Sequence, residues 1–357
     1  MQPTHALRLV SLLFSLTSTH SFGQKSLADL LAEPGADLSD PVSRAQIVGQ
    51  LKKTSAERRA NARTKASAKG LPLRITRPNG AFQEIIDFEG EIPIYFTTTN
   101  ANAAISTGAS PVRTTHSLDG SGVTVGVWDG GSARITHQEF GARATSLDGG
   151  AIIDHATHVS GTIGAAGVVN TAQGMAPFAK IDSYDWNNDV SEMTARAATA
   201  PGQADKLYLS NHSYNFVTGW NYVNNGTRVW EWYGNGTATT SIEQDYGRYH
   251  SSTRDYDTLA YNAPYYLIFR SAGNDRTDNP TNGQLVALTP GSSSVVGFDS
   301  TTHPTGDGQY RGGFETIGFV ALSKNIVTIG SASDAVTSGS RDPSKANVSS
   351  FSSWGPT

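Results

Sequence analysis

A chain of 357 residues is long enough for two ordinary domains, or for one large domain preceded by a smaller segment. Hydrophobic residues make up 37% of it and 37 residues are glycine, which is typical of a globular, turn-rich protein and excludes a fibrous or largely disordered one. Because the sequence contains no cysteine, a disulfide framework and a thiolate metal site are both excluded.

The net charge of −4 is unevenly distributed along the chain. Residues 40–69 contain eight lysines and arginines against Asp40 and Glu57, a net charge of +6, whereas residues 70–357 carry −9. A basic segment before an acidic body suggests nucleic-acid binding, but such a charge run is more often a solvated helix face. We therefore expect no nucleic-acid partner.

The first residues have the pattern of a secretory signal. Arg8 precedes an apolar run at 9–16, and Ser21 and Gly23 place small residues where a signal peptidase reads them. The run is shorter than the ~20 residues that a membrane-spanning helix needs, and no later segment qualifies. The pattern predicts a signal peptide at 1–23 and a secreted product without membrane contact after its removal.

Residues 24–115 predict a small α+β region. A long helix should begin at Asp40-Pro41, an N-cap residue followed by a proline at the first helical position, and end before Gly70. Its apolar stripe is thin, so we expect it to need a packing partner. Residues 100–115 are small and polar, as in a linker, which predicts a domain boundary near residue 116. The predicted elements are Ser26–Glu33, Asp40–Ala68, Leu71–Thr76, Phe82–Phe88 and Ile92–Thr97.

From Gly122 onward the apolar runs change character. Val123–Trp128 is almost continuously apolar, as expected of a strand buried on both faces of a parallel sheet. Ala156–Ala166 is rich in small residues and predicts a helix that packs closely on its neighbours. Strands separated by helix-sized intervals predict a doubly wound, mostly parallel α/β sheet. The further predicted strands are Ile181–Tyr184, Leu207–Ser210, Tyr265–Ser271 and Ile326–Ile329.

Three polar residues stand at predicted element ends, where α/β folds place catalytic groups. Asp129 follows the first strand, His155 lies in the first turn of a helix, and Asn274 follows a later strand. Each has an ordinary structural alternative. Aspartates are common in turns, and His155 and His158, three residues apart, can be core residues or zinc ligands, although no third ligand has the usual spacing.

Four segments, in order, resemble the signature blocks of the subtilisin-like (subtilase) serine peptidases. These are Trp128–Gly131, His155–Thr162, Gly174–Pro177 and Ser271–Asn274. Thr136–Phe140 and Ser349–Pro356 also resemble the stretches that follow the aspartate block and precede the serine block in that family. Because four ordered blocks rarely coincide by chance, the resemblance is specific over residues 116–357.

The resemblance implies a role for each candidate residue. His155 would be the general base, and Asp129 would orient its imidazole and stabilise the imidazolium. Asn274 would donate a hydrogen bond to the oxyanion. Ser213, Tyr214 and Asn215, on a strand that pairs with extended substrate, would bind substrate opposite a wall made by Ala272 and Gly273.

The aromatic-rich segment between Asn215 and Tyr265 is longer than compact family members need. It predicts either an aromatic rim for extended substrates or, more often, an insertion that buries its own rings. Two residues depart from the family pattern: Ala156 replaces a glycine and Gly130 a small hydroxylated residue.

No Gly-Thr-Ser-Met block occurs in the sequence, so we expect the nucleophilic serine beyond Thr357 and a C-terminally incomplete peptidase domain at 116–357. The expected protein is a secreted serine endopeptidase that acts on proteins or peptides and requires no cofactor. Structural calcium stays open because no ligands can be identified. One alternative is a pseudo-protease or peptide-binding module of the same fold. The other is an unrelated α/β hydrolase, but that fold needs a Gly-x-Ser-x-Gly motif directly after a strand, and the sequence has none there.

Overall fold

The structure is a computed structural model. It describes residues 25–76, 82–89, 91–98, 107–168, 172–224, 226–241, 243–332, 335–337 and 340–355. The predicted signal peptide at 1–23 and the first part of the predicted linker, 100–106, lie outside these ranges. Within them, no helix is long and apolar enough to cross a membrane.

The N-terminal region contains both predicted helices and all three predicted strands. Ser26 and Asp40 cap the two helices, as their side chains accept hydrogen bonds from the backbone N–H groups of Asp29 and Ser43. The first strand begins at Arg74, three residues later than the predicted start at Leu71. The elements are α1 (Leu27–Leu31), α2 (Pro41–Ala68), β1 (Arg74–Thr76), β2 (Phe82–Glu89), β3 (Ile92–Thr98) and α3 (Ala109–His116).

Helix α3 covers residues 109–115 of the segment predicted as a linker, which the sequence did not predict to be helical. The helix follows Gly108, which has a left-handed backbone (φ 75°). Arg113 attaches it to the body by donating hydrogen bonds to the backbone carbonyls of Gly174 and Met175. The sequence did not predict this helix because its apolar residues are few and its stability comes from contacts with the body.

The body's helices and strands are β4 (Thr124–Asp129), β5 (Ala144–Ser146), α4 (Asp154–Gly164), β6 (Lys180–Asp185), α5 (Asp189–Arg196), β7 (Leu209–His212), β8 (Tyr214–Phe216), β9 (Trp220–Tyr222), β10 (Trp230–Trp232), α6 (Ser251–Asn262), β11 (Leu267–Ser271), β12 (Leu285–Ala287), β13 (Val296–Gly297), β14 (Val327–Ile329), β15 (Val336–Thr337) and β16 (Ser340–Arg341). Six of these strands form one sheet in the order β14-β11-β7-β4-β6-β5, with every neighbouring pair parallel.

Strand β4 is buried on both faces. Val125 and Val127 pack with Val159 of α4 on one side, whereas Trp128 belongs to the main core with Met193 of α5 and residues of α6 on the other. Alternating side chains of one strand therefore contact helices on opposite faces. This confirms the predicted doubly wound α/β fold.

Three aromatic rings cross the centre of this sheet. Trp128 pairs in register with Tyr184 of β6 and His212 of β7. Its ring stacks on Tyr184 at 4.3 Å between centroids and on His212 at 5.2 Å. Such offset stacks stabilise beyond the area they bury. This aromatic ladder fixes the register of three strands one residue before Asp129.

Strands β9 and β10 of the aromatic-rich segment join β12 and β13, which come later in the chain, in a second sheet of the order β13-β12-β10-β9. Trp220, Trp230 and Trp232 are buried in one cluster with Val286 and Phe298. The three rings are therefore buried and do not line an exposed rim, but they pack partly against residues from outside the segment.

The N-terminal region is continuous with the body. Strand β3 pairs antiparallel with β8, with Thr97 opposite Asn215 and Thr98 opposite Tyr214. On the other side of the region, Leu27, Leu30 and other apolar side chains of α1 and α2 are buried in the main core of the body. The thin apolar stripe of α2 thus finds its partner in α5 and β2.

Glu84 of β2 is the most buried charge of this interface, only 1% exposed. Its Oε1 accepts hydrogen bonds from Arg63 and Arg74, each at 3.0 Å, and its Oε2 accepts one from Trp186 Nε1 of the body at 3.1 Å. A buried carboxylate is tolerated only when its acceptor sites are filled, and here both the N-terminal region and the body fill them.

We therefore expect Glu84→Gln to lower the free energy of unfolding by about 2 kcal/mol, because the amide loses the charge and turns an N–H₂ group toward donors. Urea unfolding followed by tryptophan fluorescence measures the change. The matched control is Glu91→Gln, an exposed carboxylate paired with Lys65 and Lys69, which should alter stability little. Equal effects of the two substitutions would contradict the assigned role.

Candidate active site

Asp129 and His155 meet at the carboxyl edge of the sheet. The Asp129 carboxylate is fully buried at the end of β4, and its two oxygens lie 2.9 and 2.8 Å from Nδ1 of His155. Oδ1 also accepts the Gly130 backbone N–H at 2.7 Å. The carboxylate therefore holds the ring in the tautomer that carries its proton on Nδ1. Nε2 is buried and has no hydrogen-bond partner among the described residues.

The loop after Asp129 explains this geometry. Ser132 pairs with the segment that leads into α4, donating to the Ala151 carbonyl at 2.8 Å and accepting from the Ile153 N–H at 3.1 Å. A Cβ atom at residue 131 would collide with the Ala151 carbonyl oxygen. Gly131 is thus required for the close approach that brings the first turn of α4 beside Asp129.

His158 does not join the pair. Its side chain is exposed on α4, whereas the His155 ring faces Asp129. Among the residues that the structure describes, no three His, Asp or Glu side chains form a group that could hold a metal ion. The arrangement of the two histidines therefore favours an Asp–His pair over a shared zinc site.

Asn274 follows β11 at the same sheet edge, with only β7 between β11 and β4. The preceding Gly273 has φ +113°, and a Cβ there would lie 2.6 Å from Asp275 Oδ2 and 2.8 Å from Ser353 Oγ. Glycine is therefore needed for both conformation and space. The side chain of Asn274 is half-buried.

The predicted substrate residues come together around the β7–β11 pair. His212 pairs with Arg270, so Ser213 and the segment Ala272–Gly273 leave the sheet side by side. The Tyr214 side chain is fully buried in the core, so it cannot itself line a pocket. Its backbone lies opposite Thr98 of β3. Asn215 is also buried, and its Oδ1 accepts the N–H of Phe216.

A family model, the subtilase family, matches residues 120–357, two thirds of the chain. The chain belongs to the subtilase family. No curated protein matches it in sequence.

Solved structures of low identity also resemble this subtilase. A cold-adapted subtilisin-like serine proteinase is 20% identical over 67% of this chain and 62% of its own, with a TM-score of 0.35. The serine protease of Aeromonas sobria is 18% identical over 66% and 35%, with a TM-score of 0.36. The CspB protease of Clostridium perfringens is 17% identical over 49% and 40%, with a TM-score of 0.30. This chain spans less than two thirds of the length of each.

A buried polar network that the sequence did not reveal lies behind the site of the subtilase. Asp189 Oδ2 accepts hydrogen bonds from the hydroxyls of Tyr214 and Tyr256, each at 2.8 Å. Arg270, 1% exposed, donates to Tyr256 and lies over the Tyr214 ring at 4.4 Å. The network ties the proposed substrate strand to β11. No sequence signal marks it, since its members lie on four separate elements.

Glu192 of α5 lies behind the aspartate block. Its Oε2 accepts the Trp128 indole N–H at 3.0 Å. Burial raises the pKa of Glu192 to about 8, against the opposing effect of that hydrogen bond. The folded-state pKa thus lies above the unfolded one, so the carboxyl stabilises the fold when protonated and this stability is lost as pH rises toward 8.

We expect Glu192→Gln, which cannot ionise and keeps an oxygen for Trp128, to make thermal stability less sensitive to pH. Its melting temperature should rise relative to wild type as pH increases from about 5 to about 9, and the gain should vanish near pH 4. Glu57→Gln, at an exposed carboxylate of α2, is the control. A difference from wild type that stays constant across this range would refute the expectation.

Proposed function

We propose that this subtilase is part of a secreted serine endopeptidase that hydrolyses peptide bonds through an acyl-enzyme. The observation that carries the proposal is the Asp129–His155 pair, which leaves a buried, unpartnered Nε2 at the edge where Asn274 also lies. An imidazole held this way by a buried carboxylate is the general base of serine peptidases. The signal-like pattern at 1–23 supports secretion.

The chemistry assigns one task to each residue. Nε2 of His155 takes the proton of a serine hydroxyl as its oxygen attacks the carbonyl carbon, and Asp129 stabilises the imidazolium that forms. The Asn274 side-chain N–H donates to the developing oxyanion. The imidazolium then gives its proton to the leaving amine, and water releases the acyl group by the reverse path. We place the serine outside residues 1–357. No cofactor takes part.

The subtilase assignment supports a protein or peptide substrate, and the strand backbone after Ser213 is the edge with which such a substrate would pair. An extended peptide can pair with this edge, which supplies affinity largely independent of sequence, while the wall at Ala272–Gly273 supplies preference. In the structure the edge of β8 is already paired with β3. This supports residues 24–115 as a pro-region that occupies the substrate edge, and a peptidase domain from 116.

The gene product extended past Thr357 should label with a fluorophosphonate probe and cleave a fluorogenic peptide, whereas residues 24–357 alone should do neither. His155→Ala should lower kcat/KM by at least ~10³-fold, because no other group can take the serine proton. His158→Gln, at the exposed histidine one turn away, should stay within about threefold of wild type. Labelling of any serine in residues 24–357, or equal loss from both substitutions, would overturn the assignment. An unreactive extended product would instead indicate a pseudo-protease.

The pro-region proposal also rests on how α2 uses its charge. Arg44 donates to the Ala197 carbonyl of the body at 3.0 Å, and Arg59 to Asn188 Oδ1 at 3.1 Å. Lys65 and Lys69 instead pair with Glu91 inside the N-terminal region itself. Only part of the +6 charge is thus available for attraction to the body, and apolar burial carries much of the docking.

A separate segment of residues 24–115 should therefore inhibit the extended, processed enzyme, with a modest loss of inhibition as salt rises through ~0.1 M. Peptidase assays across salt concentrations measure this. Glu84→Gln in the segment should weaken inhibition, while Glu91→Gln should not. A parallel DNA titration tests the alternative use of the basic helix. Tight DNA binding without inhibition would contradict the pro-region proposal.

A further inference from the structure

Ser353 holds both neighbours of Asn274. Its backbone N–H donates to the Gly273 carbonyl at 3.0 Å. Its hydroxyl donates to Asp275 Oδ2 at 3.0 Å and accepts the Asp275 backbone N–H at 3.3 Å. Ser353 is 3% exposed, so these bonds are made away from water. One residue, 78 positions along the chain from Asp275, thus restrains the loop on each side of the amide.

The loop has few other means of holding its shape. Gly273 has φ +113°. Glycine can adopt this conformation, but it populates others about as readily, so the residue alone does not fix the shape of the loop. Only a short 3₁₀ turn, Asp275–Thr277, follows Asn274. An oxyanion donor must stand within a few tenths of an ångström of its target position to be effective. A restraint from outside the loop is therefore needed.

We propose that Ser353 is a positioning residue that holds the loop Gly273–Asp275 so that Asn274 points at the oxyanion, an inference that rests on the proposed function. A serine suits this task because a hydroxyl donates one hydrogen bond and accepts another at the same oxygen. Alanine offers neither, and no other small side chain does both without the extra bulk of threonine.

The segment that carries Ser353 is itself anchored. Trp354 donates its backbone N–H to Thr316 Oγ1 at 2.9 Å and accepts the Thr316 N–H at 3.0 Å. The Arg276 guanidinium lies 3.3 Å from the centre of the Trp354 ring, a cation–π contact on the far side of the loop. The restraint at Ser353 is therefore transmitted from a fixed segment.

The hydroxyl also acts on a charge. Burial raises the pKa of Asp275 to about 7, and the hydrogen bond from Ser353 opposes that rise. The titratable groups around it are Arg276 beside it in sequence, the buried carboxyls of Glu243 and Asp307, and the half-buried carboxyl of Asp278. Asp275 itself contributes to the raised pKa values of these three carboxyls. Loss of the Ser353 hydroxyl would thus leave Asp275 less often ionised and less firmly held.

The first test measures the loop without catalysis, in residues 24–357. Ser353→Ala removes the acceptor of the Asp275 amide, so hydrogen exchange at that amide should become about tenfold faster. Ser352→Ala is the matched control, since that equally buried hydroxyl accepts from the Ser331 N–H instead. It should leave the Asp275 amide unchanged. Unchanged exchange in Ser353→Ala would overturn the proposal, whatever the activity of the protein.

The second test is a double-mutant cycle in the extended gene product. Removing an oxyanion donor typically costs ~10²–10³-fold in kcat, so Asn274→Ala should show that loss. Ser353→Ala should lower kcat by about 10–100-fold with little change in KM. In the Asn274→Ala background the same Ser353→Ala substitution should change kcat by less than about twofold, since there is no amide left to position.

The outcomes separate two failures. An inactive wild-type product would sink the proposed function, while the exchange measurement would still decide whether Ser353 holds the loop. An active product in which Ser353→Ala lowers kcat equally with and without Asn274 would sink the positioning role, because a general loss of structure acts in both backgrounds. Ser352→Ala should keep kcat within about twofold.

Discussion

The aromatic ladder of Tyr184, Trp128 and His212 is the interaction on which the rest of the structure depends. It packs three rings across three parallel strands, at positions paired in register. A shift of one residue in any of these strands would turn a ring to the opposite face. Because Asp129 follows Trp128 directly and Ser213 follows His212, the ladder also sets where these two residues stand at the sheet edge.

The proposed site consists of few side chains, and buried groups support it. Two parts are held from behind: the Gly130 N–H binds the carboxylate of Asp129, and Asp189 and Arg270 contact Tyr214, which follows Ser213. Preorganised dipoles of this kind act strongly because they need no reorientation during reaction. Buried charges such as Asp189 and Arg270 are not needed for stability as such, since well-packed apolar residues can often replace them at similar stability.

The sequence predicted what depends on local pattern. The helices from Ser26 and Asp40 have caps, and the buried strands have uninterrupted apolar runs, so both could be read. Asp129, His155 and Asn274 could be assigned only through the family resemblance. Four features were missed because each depends on residues distant in sequence: helix α3, the second sheet, the buried Tyr214 ring and the contacts of Ser353. Burial of that kind leaves no periodic signal.

The shared core has a consequence for handling the protein. Leu27, Leu30, Ile47 and Leu51 are buried among apolar residues of the body. A polypeptide that started at residue 107 would present the vacated face to water. Large exposed apolar patches promote self-association, so such a polypeptide would be prone to aggregate. The body is therefore best obtained by cleaving the chain after it has folded together with its N-terminal region.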